Sequence, residues 1–242
     1  MDIVYLIKAD PENDSEELRY SLRSLQNIPH NKVFIVGEKP DWATNVEYIP
    51  VPQIKTKIQN WRMNLVAAVN SELVSDDFIM MNDDFFITKQ MSEIPNMHFG
   101  NMEDIIKTYN KRYPEGSDYI SRMTKLYELL KDRGYAKPIS YELHTPMVLN
   151  KHKVQQLYGD VEHKPLYQFR TYYGNHFNVG GYQANDVKIF VDPVHNDPAY
   201  NHNPDQYLSS QALLSTTGGS FKRGLPGDFI RKSFTEKSPY EI

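Results

Sequence analysis

FIMMNDDFF, residues 78–86, is an apolar run that ends on one amide and two adjacent acids. The run reads as a buried strand, so Asn82, Asp83 and Asp84 stand where the chain leaves the core. Neighbouring carboxylates repel each other unless a cation, a helix end or a set of donors offsets them. The segments around this stretch decide whether it is the rim of a binding site or an ordinary turn.

Upstream, strand-like and helix-like patterns alternate. DIVYLI (2–7), KVFIVG (32–37) and VEYIPV (46–51) read as strands. DSEELRYSLRSLQN (14–27) spaces Leu18, Leu22 and Leu25 as a helix behind an Asp14/Glu17 start resembling a capping box. KTKIQNWRMNLVAAVNSEL (55–73) reads as a second helix, with Ile58, Met63, Val66 and Val69 as its apolar stripe. DFIMMN (77–82) is then a fourth strand. Such alternation requires crossover connections and implies an α/β fold with a mostly parallel central sheet covered on both faces. Ligands of such sheets bind beyond the carboxyl ends of the strands, which is where the acids stand.

After residue 90 the pattern changes. Residues 101–113 and 117–134 read as helices, the second stopped by Gly134, and form an inserted helical subregion. Residues 150–159 read as a short helix stopped by Gly159, and VKIFV (187–191) as a late strand. From 192 on, Pro, Asn, Gly and Ser are dense and loops are expected. With no repeat or linker, the chain reads as one composite domain, with an α/β half over 1–90 and a second half over 91–242.

Composition narrows the function. The 242 residues suffice for a sizeable core without staples, and the absence of cysteine excludes disulfides, thiolate metal sites and cysteine nucleophiles. Residues 1–14, MDIVYLIKADPEND, resemble neither a signal peptide nor a membrane span, so the expected location is the cytoplasm, with no membrane partner. Twenty-seven Lys plus Arg against 31 Asp plus Glu give a net charge of -4, which provides no global basic field for nucleic acid. Seventeen tyrosines and eleven phenylalanines suit the ring-lined walls of a sugar or nucleotide site.

Four segments carry candidate chemistry. Asp83 and Asp84 suit a hard divalent cation, Mg²⁺ or Mn²⁺, bridging a nucleotide diphosphate; otherwise they begin a turn or cap a helix. His144 in ELHTPMVLN (142–150) suits a general base for an acceptor hydroxyl or a phosphate contact, although a lone histidine is more often structural. Arg170 in YQFRTYYGNHF (167–177) suits bidentate phosphate binding, or simple stacking within the fold. Lys222 and Arg223 in STTGGSFKRG (215–224) suit a phosphate cradle that matches no P-loop spacing. The first turn, KADPEND (8–14), lacks the dinucleotide-binding glycines.

Taken together, DIVYLIKADPEND, ELRYSLRSL, KVFIVGEKPDW and FIMMNDDFFI resemble the opening blocks of the Stealth family of capsular polysaccharide and N-acetylglucosamine-1-phosphate transferases. ELHTPMVLNK, YQFRTYYGNHF and FTEKSPYE (234–241) resemble its later blocks more loosely. The resemblance implies a GT-A-like, nucleotide-sugar-binding core with Mn²⁺ or Mg²⁺ and a nucleotide-sugar donor, with a UDP-sugar as the leading choice. It implies Asp83 and Asp84 as metal and diphosphate ligands, His144 as the catalytic histidine and Arg170 as the phosphate-binding arginine; Asn60 and Asn64 stand in for the family's asparagine-containing segment, and Asp84 as a catalytic acid and Asn82 as a donor contact complete the expected site. The first block departs from the family's usual tryptophan, valine, aspartate and glycine stretch, which leaves the donor pocket and the reaction open.

The leading function is transfer of a sugar or sugar 1-phosphate from a nucleotide sugar to an acceptor hydroxyl, with a saccharide as acceptor. A hydroxymethylated base in DNA is an alternative acceptor, tracked by the basic runs at 55–62, 151–153 and 221–232. Two further readings are a non-catalytic sugar- or nucleotide-binding module and a metal-dependent phosphohydrolase. The hydrolase would draw on Asp192, His195, Asp197 and His202, which read more simply as a loop over the site.

Overall fold

A computed structural model describes residues 1–8, 12, 14–157 and 168–242. Gly159 and the first residue of the arginine block, Tyr167, lie outside the described residues, as does most of the first turn. The chain divides into two compact units. The first comprises 1–94, 144–152 and 186–242; the second comprises 95–143 and 153–185. Residues 91–242 are shared between both units.

The first unit is built on a five-stranded sheet. In chain order its elements are β1 (Asp2–Ile7), α1 (Glu16–Ser24), β2 (Val33–Gly37), β3 (Glu47–Pro50), α2 (Lys57–Asn70), β4 (Asp77–Met81), β5 (Phe85–Ile87) and β6 (Met147–Asn150). The sheet order is β3-β2-β1-β4-β6, with all pairs parallel except β4–β6. Parallel pairing aligns the carboxyl ends of β1, β2 and β4 on one edge. β1 and β2 are buried along their whole length, as expected for strands covered on both faces. Each large side chain fully removed from water there, such as Phe34, contributes about 1.5–3 kcal/mol.

Gly37 at the end of β2 is dictated by close approach: its φ is +120°, and a Cβ there would lie 2.0 Å from the Ile7 carbonyl oxygen. Asn64 Nδ2 donates to that same oxygen at 3.1 Å, which pins α2 against the ends of β1 and β2. The buried face of α2 is therefore Asn60, Asn64, Leu65, Ala68 and Val69 rather than the stripe through Ile58, Met63 and Val66. Amides replace aliphatic groups because this face meets strand-end carbonyls that need donors. The first helix also starts differently from expectation. Ser15 is its N-cap, in a left-handed conformation without a side-chain cap bond, while Asp14 pairs with Arg19.

A three-stranded sheet follows, in the order β7 (Lys188–Ile189), β8 (Leu213–Thr216), β5. The expected loops after 192 are in fact short helices: Pro193–His195, Pro198–His202, Pro204–Ser210, α3 (Gly218–Arg223) and α4 (Leu225–Ser233). Asp192, Asp197 and Asn203 cap the first three, each followed by proline at the first helical position. Their core joins Phe86, Leu214, Phe221 and Ile230, with the Phe86 and Phe221 rings stacked at 5.8 Å. The final segment is stapled back: Arg23 Nε and Nη2 donate to Glu241 at 2.9 and 2.8 Å, and Ser238 donates to the same carboxylate.

The second unit contains helices Met102–Arg112, Asp118–Asp132 and Phe169–His176 with short strand pairs. The first two helices match the expected inserted subregion. Gly174 packs directly on Tyr141, whose ring a Cβ would approach to 2.3 Å. Among the described residues no helix is long and apolar enough to cross a membrane.

Candidate functional site

The carboxyl ends of β1, β2 and β4 open onto a cavity of about 850 Å³ in the first unit. Its lining includes Asn64, Asn82, Asp83, Asp84 and His144, all singled out from sequence, and Lys188, which was not. Lys8, Lys55 and Lys57 from the β1 end and the approach to α2 add positive charge, and Trp61 adds a ring.

Asp84 is one half of an ion pair. Lys188 Nζ lies 2.7 Å from Asp84 Oδ2, with both side chains largely buried. The other oxygen, Asp84 Oδ1, is buried without a hydrogen-bond partner among the described residues, as is Asn82 Oδ1. Burial and the adjacent Asp84 charge hold Asp83 above the usual carboxylate range, while Lys57 and Lys188 pull the other way. Behind this pair, Glu17 Oε1 accepts from the Thr216 hydroxyl at 2.7 Å, and Thr216 N–H donates to the Asp84 carbonyl at 3.3 Å. Burial raises Glu17 to about 7, with Asp83 and Asp84 adding to the shift.

His144 is oriented twice by Asp186. Its Nδ1 lies 2.7 Å from Asp186 Oδ2, and its backbone N–H donates to Oδ1 at 2.9 Å. Burial works against an Asp186 charge, yet His144 holds the carboxyl below its usual value. With Nδ1–H donated to Asp186, Nε2 is the ring nitrogen left to exchange a proton with a substrate.

The remaining candidates are committed within the fold or placed elsewhere. Asn64 lines the cavity, but its amide is committed to Ile7 and, through Oδ1, to Gln53 at 2.8 Å. Arg170 lies in the second unit, buried, with Nη1 donating to the Leu143 carbonyl at 2.8 Å, one residue before His144 in sequence. Lys222 and Arg223 do not line this cavity, and Arg223 lines another. Asp192 and Asp197 cap backbone N–H groups. Among the described residues no group of three or more His, Asp or Glu side chains is arranged to hold a metal ion. Two cations of the basic runs are committed within the fold. Lys151 Nζ donates to the Ser71 and Val74 carbonyls at 2.6 and 3.1 Å, and Arg231 Nε pairs with Glu16 at 2.8 Å.

Asp186 and Lys188 were missed from the sequence. Both lie just before or within the short β7 strand, in a stretch whose only signal is an isolated acid and an isolated lysine. Their partners are 42 and 104 residues away.

Comparison with known proteins places the architecture. No family model and no curated protein matches the chain, so its likeness to the Stealth family rests on the quoted blocks alone. Among solved structures it is similar to the galactosyltransferase LgtC in complex with donor and acceptor sugar analogues, at 12% identity over 98% of this chain and 96% of that one, with a TM-score of 0.54. Weaker similarities are to the glycosyltransferase GlyE of Streptococcus pneumoniae TIGR4 (8% identity, 97% and 60% of the two chains, TM-score 0.42) and to mouse xyloside xylosyltransferase 1 (10%, 90% and 97%, 0.39). With its mostly parallel sheet and its similarity to LgtC over nearly the whole of both chains, this chain has a GT-A-like glycosyltransferase fold.

Proposed function

We propose that the chain is a divalent-metal-dependent transferase that moves a sugar, or a sugar 1-phosphate, from a nucleotide sugar to a hydroxyl of a saccharide acceptor. The observation that carries this reading is the meeting of the Asp83–Asp84 pair and the Asp186-oriented His144 on one cavity at the strand ends. LgtC, with the same type of fold, was solved with donor and acceptor sugar analogues, which supports a sugar substrate here.

The unpartnered oxygens Asn82 Oδ1 and Asp84 Oδ1, together with Asp83, fit a hard cation such as Mn²⁺ or Mg²⁺ that completes its shell with phosphate oxygens and water. When bound, such an ion offsets the charge that develops on the leaving phosphate. Lys8, Lys55 and Lys57 supply further positive charge around a diphosphate, and the Trp61 ring offers a stacking surface for a nucleobase.

His144 Nε2 takes the proton of the acceptor hydroxyl as its oxygen attacks, while Asp186 stabilises the imidazolium formed. Attack at the anomeric carbon breaks the C1–O bond and releases a nucleoside diphosphate. Attack at the sugar-proximal phosphorus breaks the phosphoanhydride and releases a nucleoside monophosphate. Incubation with UDP-sugars and other nucleotide sugars, Mn²⁺ or Mg²⁺ and short saccharides tests the reading. Metal-dependent nucleotide release that disappears in Asp83→Asn and Asp84→Asn is expected; binding without turnover would favour a non-catalytic module.

A further inference from the structure

A second cavity, of about 570 Å³, lies in the first unit between the segment 190–201 and the helices α3 and α4. It shares no lining residue with the cavity around Asp83 and Asp84. Its size falls within the range of small-molecule sites.

The polar side chains of its wall are turned into the fold. Asn196 uses both amide atoms on Phe190, accepting from its N–H at 2.7 Å and donating to its carbonyl at 3.2 Å. Asn201 Nδ2 donates to the Pro193 carbonyl at 2.7 Å, and Ser220 Oγ to the Ile189 carbonyl at 2.6 Å. These bonds fix the loop and leave the rings of Phe190, Pro193 and Tyr200 as the surface offered to a ligand. Gly219 keeps the wall open, since a Cβ there would lie 2.8 Å from Val191 Cγ2. The apolar character continues outward: Val191 is 70% exposed, and Leu225, between the lining residues Gly224 and Pro226, is 52% exposed.

One cation faces this apolar surface without a commitment. Arg223 is exposed and lines the cavity, and its guanidinium has no hydrogen bond or ion pair among the described residues. The nearby acids are otherwise occupied: Asp192 and Asp197 cap the N–H groups of Val194 and Ala199, and Asp228 lies 3.6 Å from Arg231. An open, largely apolar hollow with one uncommitted guanidinium on its wall matches a ligand with an apolar body and one anionic group.

From this we infer that the second cavity is a binding site for an amphipathic anion, an apolar chain or ring bearing a phosphate or carboxylate. Arg223 meets the anion, and Phe190, Pro193 and Tyr200 pack on the apolar body. The inference does not depend on the transferase reading, because no residue of the first cavity takes part.

Isothermal titration of the full chain with octyl phosphate below its micellar range tests it, with octanoate, octyl glucoside and inorganic phosphate as comparators. The expected result is saturable binding of octyl phosphate or octanoate, the tighter of the two identifying the head group. Binding should weaken about ten-fold in Arg223→Gln and be lost in Gly219→Leu, whose side chain fills the cavity against a flexible valine tip. Unchanged thermal unfolding of Arg223→Gln guards against a folding artefact. Equal affinity for octyl glucoside would overturn the anion's part, and equal affinity for inorganic phosphate would overturn the apolar part. Absence of binding, or binding indifferent to both substitutions, would overturn the site itself.

Discussion

Asp186 grips His144 at two points, its Oδ2 2.7 Å from the ring Nδ1 and its Oδ1 accepting the backbone N–H at 2.9 Å. This double contact fixes both the place and the tautomer of the imidazole. In Asp186→Asn the amide nitrogen can face Nδ1 and favour the wrong tautomer. Turnover should fall about 10²- to 10⁴-fold with little change in the KM for the donor. An unchanged kcat would remove His144 from the role of base.

Lys188 is paired with Asp84, and on the proposed reading a divalent cation would compete with it for that carboxylate. Lys188→Met should therefore tighten Mn²⁺ binding, read by electron paramagnetic resonance without substrate, by about three- to ten-fold. Asp84→Asn should weaken it and lower turnover by about 10²- to 10³-fold. If both variants bind Mn²⁺ like the wild type, Asp84 is not a ligand.

Glu17 gives a pH signature. Burial raises its folded-state value from 4.5 to about 7, with the Thr216 hydrogen bond opposing and Asp83 and Asp84 adding to the rise. Between those two values the folded state binds more protons than the unfolded chain, so stability falls as pH rises through the window and levels off above it. Glu17→Gln keeps an acceptor for Thr216 and removes the charge. In metal-free buffer it should be more stable than the wild type at pH 8, by about 1–3 kcal/mol, and no more stable at pH 4. Urea unfolding at the two pH values checks this; parallel curves for both proteins would contradict it.

Glu241 has the opposite sign. Burial opposes its charge, but the Arg23 and Ser238 hydrogen bonds outweigh it and lower the carboxyl from 4.5 to about 2. The stability it contributes is complete above its unfolded value and is lost as pH falls through the folded one. Glu241→Gln leaves Arg23 without its partner in a largely buried position and should cost about 2–4 kcal/mol at neutral pH. Denaturant midpoints at pH 7 and pH 3 measure the loss and its decline.

Much of the scaffold was legible because its signals are local. The apolar runs at 2–7, 32–37 and 77–82 became buried strands, and the acids after β4 reached the cavity as strand-end geometry requires. The stretch after 192 was misread because cap-then-proline pairs, Asp192–Pro193, Asp197–Pro198 and Asn203–Pro204, resemble loop punctuation while being helix starts. The face of α2 was misread because aliphatic spacing was counted, whereas strand-end carbonyls select amides such as Asn64. Asp186 and Lys188 carried no more signal than an isolated acid and an isolated lysine, since their meaning comes from partners 42 and 104 residues away. The loosely matching terminal block, FTEKSPYE, supplies Glu241, whose place against Arg23 is a structural one.

Nucleotide product analysis tests the central claim most directly. The protein is incubated with nucleotide sugars, Mn²⁺ and saccharide acceptors, and each released nucleotide is identified and compared with that from Asp84→Asn. The account predicts metal-dependent release from a nucleotide sugar that the variant does not support, a diphosphate marking sugar transfer and a monophosphate marking sugar-phosphate transfer. No release from any donor, or release that survives in Asp84→Asn, would contradict it.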